Sequence, residues 1–179
     1  YRLRGYEIPE AGRTAKGTAI VNLLSLDAGE KISAIIPIQS FEDGKYLLMA
    51  TKSGLIKKTP LKEYDSSRKT GLLAINLKDD DELIDVRLTD GEDNVVLVTR
   101  KGMCITFDEK DVRPVGRSAQ GVLGIRLDDD DIVIGMESIL ANNKSATLLA
   151  ITENGFGKRT ELEEYRVQNR GGRGVITYK

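Results

Sequence analysis

The sequence predicts an all-β, propeller-like array of four-stranded blades. Three observations predict it. A basic residue, a short spacer and a glycine precede an apolar segment four times: Arg13-Thr-Ala-Lys-Gly17, Ser67-Arg68-Lys69-Thr70-Gly71, Arg117-Ser-Ala-Gln-Gly121 and Arg170-Gly-Gly-Arg-Gly174. The glycines lie 54, 50 and 53 residues apart, a period that marks stacked copies of one supersecondary unit. A second landmark, Thr-x-x-Gly, keeps the same phase at Thr51–Gly54, Thr99–Gly102 and Thr152–Gly155. Finally, no segment carries a capped apolar pattern of period 3.6, whereas short apolar runs recur, which is the pattern of strands.

Each unit reads as four strands. The first follows the basic loop: Ile20–Leu24, Leu73–Leu77 and Val122–Leu127. An acidic turn comes next, at Asp27–Glu30, Asp79–Glu82 and Asp128–Asp131; short acidic side chains bond local amides and so favour turns. The second strand is Ile32–Ile38, Leu83–Leu88 or Ile132–Ile139, with Pro37 marking a bulge or a strand end. The third strand, Tyr46–Ala50, Val95–Val98 or Thr147–Ile151, is almost continuously apolar, which predicts burial on both faces. Thr-x-x-Gly then makes a tight hairpin into the fourth strand, Leu55–Thr59, Met103–Phe107 or Phe156–Thr160. At the ends, Tyr1–Arg4 reads as a fourth strand of a preceding unit and Val175–Lys179 as a first strand of a following one. The repeat units are therefore set at residues 1–5 (partial), 6–59, 60–107, 108–160 and 161–179 (partial), three complete units and two partial ones in a single repeat domain. Such a chain is a segment of a larger array, or its ends complement each other, because open sheet edges are a liability.

Composition narrows the function. Of 179 residues, 31% are charged and 40% hydrophobic, which fits a soluble globular chain. The net charge of −1 excludes a uniform polycation but allows charge to be segregated on the surface. With no histidine and one cysteine, Ser-His-Asp and Cys-His catalysis are excluded, and a structural zinc site is not expected. No apolar run approaches the roughly 18 residues that span a bilayer, and no signal peptide is apparent. Cys104, in an apolar strand, reads as a small core residue. The acidic run Asp128–Asp131 lacks the alternation and glycine of a calcium loop, so no metal site is expected, and the acidic turns read as solubilising. Tyr64, Val112 and Tyr165 are equivalent positions; a valine among them argues for packing rather than shared chemistry.

The basic loops are the candidate site. Arg13, Lys16, Arg68, Lys69, Arg117, Arg170 and Arg173 recur at one corner of each unit, where a glycine lets backbone amides approach an anion. Repetition of that corner would make a positive stripe suited to a long polyanion. A second basic set surrounds the hairpins: Lys52, Lys57, Lys58, Arg100, Lys101, Lys158 and Arg159. These residues read equally as phosphate contacts or as charges that guard strand edges.

Three phrases carry a family resemblance: Tyr6–Leu24, Met49–Thr59 and Asn154–Thr160. Through them the chain resembles the C-terminal domain of the bacterial DNA gyrase A subunit over its whole length. The resemblance implies a β-pinwheel, a propeller-like array whose strand order differs from that of ordinary propellers. It also implies a non-catalytic module that wraps duplex DNA around a basic outer edge, through phosphates and independently of sequence, in support of ATP-dependent negative supercoiling. The family's basic heptapeptide box is similar to Gln168-Asn-Arg170-Gly171-Gly172-Arg173-Gly174. The family's box precedes the equivalent of Tyr1, so this segment reads as the box-like loop of a later blade. The resemblance further implies a parent A2B2 assembly with the gyrase B subunit, ATP and Mg used only by other regions, no cofactor or membrane for this segment, and a bacterial cytoplasmic, nucleoid-associated location. The alternatives are a propeller-type protein-interaction module and the equivalent domain of the topoisomerase IV A subunit.

Overall fold

The computed structural model describes residues 1–143 and 145–178. Among the described residues ten strands form: β1 Tyr46–Thr51, β2 Leu55–Pro60, β3 Leu83–Thr89, β4 Asp93–Thr99, β5 Met103–Asp108, β6 Val122–Leu123, β7 Val133–Leu140, β8 Thr147–Ile151, β9 Gly157–Glu161 and β10 Val175–Ile176. The only helical elements among the described residues are short 3₁₀ turns, which include Gly5–Glu7, Leu61–Tyr64, Glu109–Asp111 and Leu162–Glu164.

The hairpins form where Thr-x-x-Gly puts them, and the motif has a physical explanation. Gly54, Gly102 and Gly155 adopt φ of 88°, 79° and 81°, and each amide donates to the carbonyl of the threonine three residues earlier. The threonine Oγ1 in turn accepts from the amide that opens the next strand, Leu55, Met103 or Phe156, at 3.1–3.2 Å. One hydroxyl thus closes each turn from the side chain.

Blade and repeat are out of phase. The first sheet has the order β3-β1-β2-β6, the second β10-β5-β4-β7, and β8-β9 is a two-stranded ribbon. Every pairing between these strands is antiparallel. A complete blade therefore takes its central hairpin from one repeat, an edge strand from the next repeat's second segment, and the other edge from the first segment of the repeat after that. The three complete units read from sequence consequently become two complete sheets and one ribbon. The same offset corrects several strand assignments. Ile20–Leu24 contains only a 3₁₀ turn over Ile20–Asn22, and Ile32–Ile38, Leu73–Leu77 and Tyr1–Arg4 form no strand. The second segments β3 and β7 pair with the hairpin one repeat earlier and the first segments β6 and β10 with the hairpin two repeats earlier; among the described residues no hairpin stands at those positions for Ile20–Leu24, Ile32–Ile38 or Leu73–Leu77. Val122–Leu127 shortens to Val122–Leu123, the strand after Gly155 begins at Gly157, and only Val175–Ile176 of Val175–Lys179 is strand; Lys179 lies outside the described residues. Pro37 lies outside any strand, and the bulges fall at Ala50/Thr51 and Val98/Thr99.

Tyr1 nonetheless stands where a fourth strand would. A Cβ on Gly71 would meet the Tyr1 ring at 2.9 Å, just as one on Gly121 would meet Ile56 O at 2.6 Å and one on Gly174 Cys104 O at 2.3 Å. A 3₁₀ turn follows Tyr1–Arg4 just as turns follow β2, β5 and β9.

The core sits between the two complete sheets. Leu48, Ala50 and Ile56 of the first pack with Val95, Leu97, Ile105, Phe107, Val133 and Met136 of the second, and with Val112 and Ile125. The third strands β1 and β4 are buried on both faces, whereas β8 alternates between exposed and half-buried, because among the described residues no further strand pairs with the ribbon. A buried network joins the sheets. Thr89 Oγ1 donates to Glu109 at 2.6 Å, the Asp93 amide lies 3.4 Å from the same carboxylate, and Lys58 Nζ donates to Glu109 O at 2.9 Å. Lys58 Nζ also lies 3.7 Å from Glu109 Oε1, with both side chains almost fully buried.

Candidate nucleic-acid interface

Two of the four basic loops, Arg117–Gly121 and Arg170–Gly174, lie on matching edges, and the loops at Arg13–Gly17 and Arg68–Gly71 lead into no strand. Arg87 of β3 donates to Met136 O at 3.2 Å and to Glu137 at 2.7 Å, both on β7. These edges face each other, so β6 and β10 lie on the opposite edges of their sheets. The loops at Arg117–Gly121 and Arg170–Gly174 lead directly into β6 and β10. Each is stitched to the neighbouring β2 or β5 by a parallel bridge, Lys58↔Pro114 or Thr106↔Val167. The Val115 and Gln168 amides add bonds to Lys58 O at 2.9 Å and Thr106 O at 2.8 Å.

Why glycine ends these loops is clear at two of them. Gly121 and Gly174 have φ of 97° and 79°, and a Cβ would fall within van der Waals contact of a carbonyl of the adjacent strand. A side chain would push the loop off the sheet and strain the backbone.

The predicted site residues divide into three groups. Arg13, Lys16, Arg68 and Lys69 are exposed, and among the described residues they make no ion pair. Arg173 is also exposed and lies 3.3 Å from Asp128, a surface pair that a phosphate can displace. Arg117 and Arg170 are half-buried: Arg117 lies 4.0 Å from Glu63, and Arg170 donates through Nε to Asp111 O at 3.2 Å and through a terminal nitrogen to Leu123 O. Arg170 thus ties the box-like loop to the previous loop's strand. Within that box-like loop, the Gly171 amide donates to Gly124 O and Gly172 O accepts from the Arg126 amide, each at 2.8 Å. Gln168 Nε2 is buried without a partner.

The second basic set behaves differently. Lys57 and Lys58, read from sequence as phosphate contacts, are buried, Lys57 completely. Lys57 Nζ donates to Ala74 O and Arg117 O, and Lys58 serves the Glu109 network and lies 5.2 Å from the Tyr46 ring. Neither ammonium faces outward, because the following loop and turn cover β2. Burial, and then the nearby Arg117 charge, lower the Lys57 pKa to about 8, with Glu63 opposing. Lys158 and Arg159, in the same register on β9, are exposed, with Lys158 Nζ 5.4 Å from the Tyr178 ring.

The acidic turns do more than solubilise. Asp81 accepts from the Ser53 amide at 2.8 Å and from Ser53 Oγ at 2.5 Å, and Asp131 accepts from the Lys101 amide at 3.0 Å. These two turns therefore each grip a hairpin tip, while in the turn at Asp27–Glu30 the Glu30 carboxylate accepts from Tyr1 OH and the Asp27 amide. Lys52 pairs with Glu82, and Arg100 and Lys101 donate to Asp130 O and Asp129 O, so these cations are engaged by the turns. The equivalence of the turns could have been read from sequence, but their partner could not. Cys104 is buried and its thiol is pushed up to about 12 by burial; Tyr165 and Val112 are core residues, and Tyr64 packs against Met49, Ile75 and Val86.

Comparison with known proteins decides the family. The family model described as "DNA gyrase C-terminal domain, beta-propeller" matches residues 1–39, 45–90, 93–139 and 146–179. The chain belongs to this family. The last three stretches begin six residues before Thr51, Thr99 and Thr152, so they are cut at a different point from the units 6–59, 60–107 and 108–160. The gyrase A protein of Clostridium acetobutylicum is 56% identical over 179 residues, covering 100% of this chain and 21% of that protein. The gyrase A protein of Salmonella typhimurium is 45% identical, covering 100% and 20%. The chain thus spans about a fifth of the curated relatives it matches. Among solved structures, a DNA gyrase A C-terminal domain superposes with TM-score 0.83 at 30% identity, over 100% of this chain and 56% of that one. The C-terminal domain of a DNA topoisomerase IV superposes with TM-score 0.88 at 37% identity, over 96% and 53%. The fold is the gyrase A β-pinwheel.

Proposed function

We propose that this gyrase-family segment is a non-catalytic DNA-binding module that bends duplex DNA along the outer edges carrying the basic loops. The observations that carry the reading are the recurrence of glycine-ended basic loops in the sequence, the matching sheet edges at which the Arg117–Gly121 and Arg170–Gly174 loops lie, and the exposure of Arg13, Lys16, Arg68 and Lys69, unpaired among the described residues. Contacts go to phosphates, so binding is largely independent of sequence. Bending costs on the order of a few kcal/mol per site, which many dispersed contacts offset. The interface comprises those four residues with Arg117, Arg170 and Arg173; Lys158 and Arg159 add to it on the uncovered ribbon. The loop Gln168–Gly174 contributes as a box-like loop of a later blade.

The module itself uses no cofactor. In the whole protein it serves negative supercoiling by an A2B2 assembly with the gyrase B subunit, with ATP and Mg acting elsewhere, in the bacterial cytoplasm at the nucleoid. The topoisomerase IV superposition favours a second reading, the equivalent domain of that enzyme's A subunit. Supercoiling by the parent separates the two, since only the gyrase reading requires negative supercoils to be introduced into relaxed circles. The direct test replaces Arg13, Lys16, Arg68 and Lys69 together with Ala. Duplex affinity falls while the melting temperature holds, and the salt slope drops by about 0.9 for every phosphate no longer neutralised. Unchanged affinity at low salt contradicts the reading.

A further inference from the structure

The loops at Arg117–Gly121 and Arg170–Gly174 occupy equivalent places but are fastened differently. In the second, two backbone bonds hold the loop: Gly171 N to Gly124 O and Arg126 N to Gly172 O, both 2.8 Å. In the first, the Arg126–Gly172 bond recurs as Asn76 N to Ala119 O at 3.2 Å. The other bond, which would run from Ser118 to Ala74 O, does not form among the described residues. The reason is local. Gly171 has φ +80°, which turns its amide inward, and Ser118 is not in that left-handed region. The side chain of Lys57 fills the gap, donating to Ala74 O at 2.5 Å and to Arg117 O. Tyr64 OH adds a bond to the same Ala74 carbonyl at 3.3 Å. Under the other loop the equivalent residue is Ile105, whose Cδ1 lies 3.6 Å from where a Gly172 Cβ would stand. A cavity of about 90 Å³, bordered by Ile56, Lys57, Val112, Val115 and Ala119, lies beneath the first loop.

We propose that Lys57 is the positioning residue for the Arg117 loop: its buried ammonium bridges two main-chain carbonyls and thereby sets how Arg117 is presented on the outer edge. The sequence supplies this bridge only where the loop lacks the Gly-Gly pair that bonds directly. The charged and titratable groups facing Lys57 are Arg117 on the loop and Glu63 and Tyr64 on the 3₁₀ turn. Charge-assisted bonds are roughly twice as strong as neutral ones, so the bridge weakens as Lys57 loses its proton above pH about 8. A phosphate seated on Arg117 offsets the charge that opposes protonation. Duplex binding at this loop therefore takes up a proton, a consequence that rests on the proposed DNA contact, whereas the bridge itself does not.

The test uses the 179-residue chain and its Lys57→Met variant. Without DNA, hydrogen exchange at the Asn76 and Ala119 amides rises about tenfold in the variant, as loss of a bond to a charged donor implies, while Arg126 and Gly171 are unchanged. Equal exchange in both proteins, or an equal rise at all four amides, overturns the proposal. If the variant does not fold, wild type is compared at pH 7 and pH 9.5 after correction for intrinsic rates. Exchange at Asn76 and Ala119 must then rise relative to Arg126, and a constant ratio overturns the proposal. With a duplex oligonucleotide at pH 8.5, calorimetry in two buffers of different ionisation enthalpy reads proton uptake by wild type that Lys57→Met lacks. Uptake equal in both overturns the coupling. A wild type that binds no duplex contradicts the DNA reading, and the exchange experiment still decides the bridge.

Discussion

Three lysines of one sequence type have three different fates, and the difference lies in what covers them. Lys57 and Lys58 are adjacent on β2 and buried, and Lys158 holds the register of Lys57 on β9 and is exposed. Sequence gives all three the same pattern, because the covering loop arrives from a repeat some sixty residues later. Burial of Lys58 depends on Glu109. Glu109→Ala leaves a buried ammonium without its carboxylate and removes the acceptor for Thr89, so chemical denaturation reports a loss of about 3–5 kcal/mol. Lys57 sets a pH dependence with a definite sign. Its folded pKa, about 8, lies below its ordinary value of 10.5, so between those values the unfolded chain holds more protons and stability rises with pH. Thermal unfolding between pH 8 and 10.5 shows that rise in wild type relative to Lys57→Met, and parallel profiles contradict it. Below pH 8 the full unfavourable contribution of the buried charge is present.

At the scale of the element, hairpins were legible and edge strands were not. Thr-x-x-Gly encodes its turn within five residues through a left-handed glycine and a threonine hydroxyl, so the hairpins β1–β2, β4–β5 and β8–β9 follow from sequence alone. Ile20–Leu24 and Leu73–Leu77 have strand-like composition, but a strand needs a partner, and theirs would come from distant repeats. The basic loops were legible as turns because glycine punctuates them, and as a candidate site because their charge recurs in phase. Their anchoring was not, since it runs through carbonyls of other repeats. Gly174→Ala tests the anchoring on the ordered side: φ of +79° and a carbonyl at 2.3 Å predict a loss of more than about 1–2 kcal/mol and detachment of β10, measured by denaturation and by exchange at Thr177. Gly17→Ala, with nothing within 4 Å, bears only the backbone strain and loses less.

At the scale of the whole molecule, near-zero net charge and a basic edge are compatible because the charges are sorted. Acidic turns hold hairpin tips and engage Lys52, Arg100 and Lys101 there, which leaves Arg13, Lys16, Arg68 and Lys69 uncompensated on the loops. On the proposed reading, repetition turns a weak anion site into a track: the Arg117–Gly121 and Arg170–Gly174 loops lie at equivalent edges of the two complete sheets. The offset of blade from repeat links the Arg117–Gly121 and Arg170–Gly174 loops to hairpins of an earlier repeat, so these loops and the packing of successive sheets are built by the same crossings. The central claim is that this edge wraps duplex DNA, and linking number reports wrapping directly. Relaxed circular DNA is nicked, ligated in the presence of the chain, deproteinised and resolved by gel. A shift in linking number that grows with protein and vanishes when Arg13, Lys16, Arg68 and Lys69 are replaced with Ala is the predicted result. Tight binding with no shift, or a shift that survives those replacements, contradicts the account.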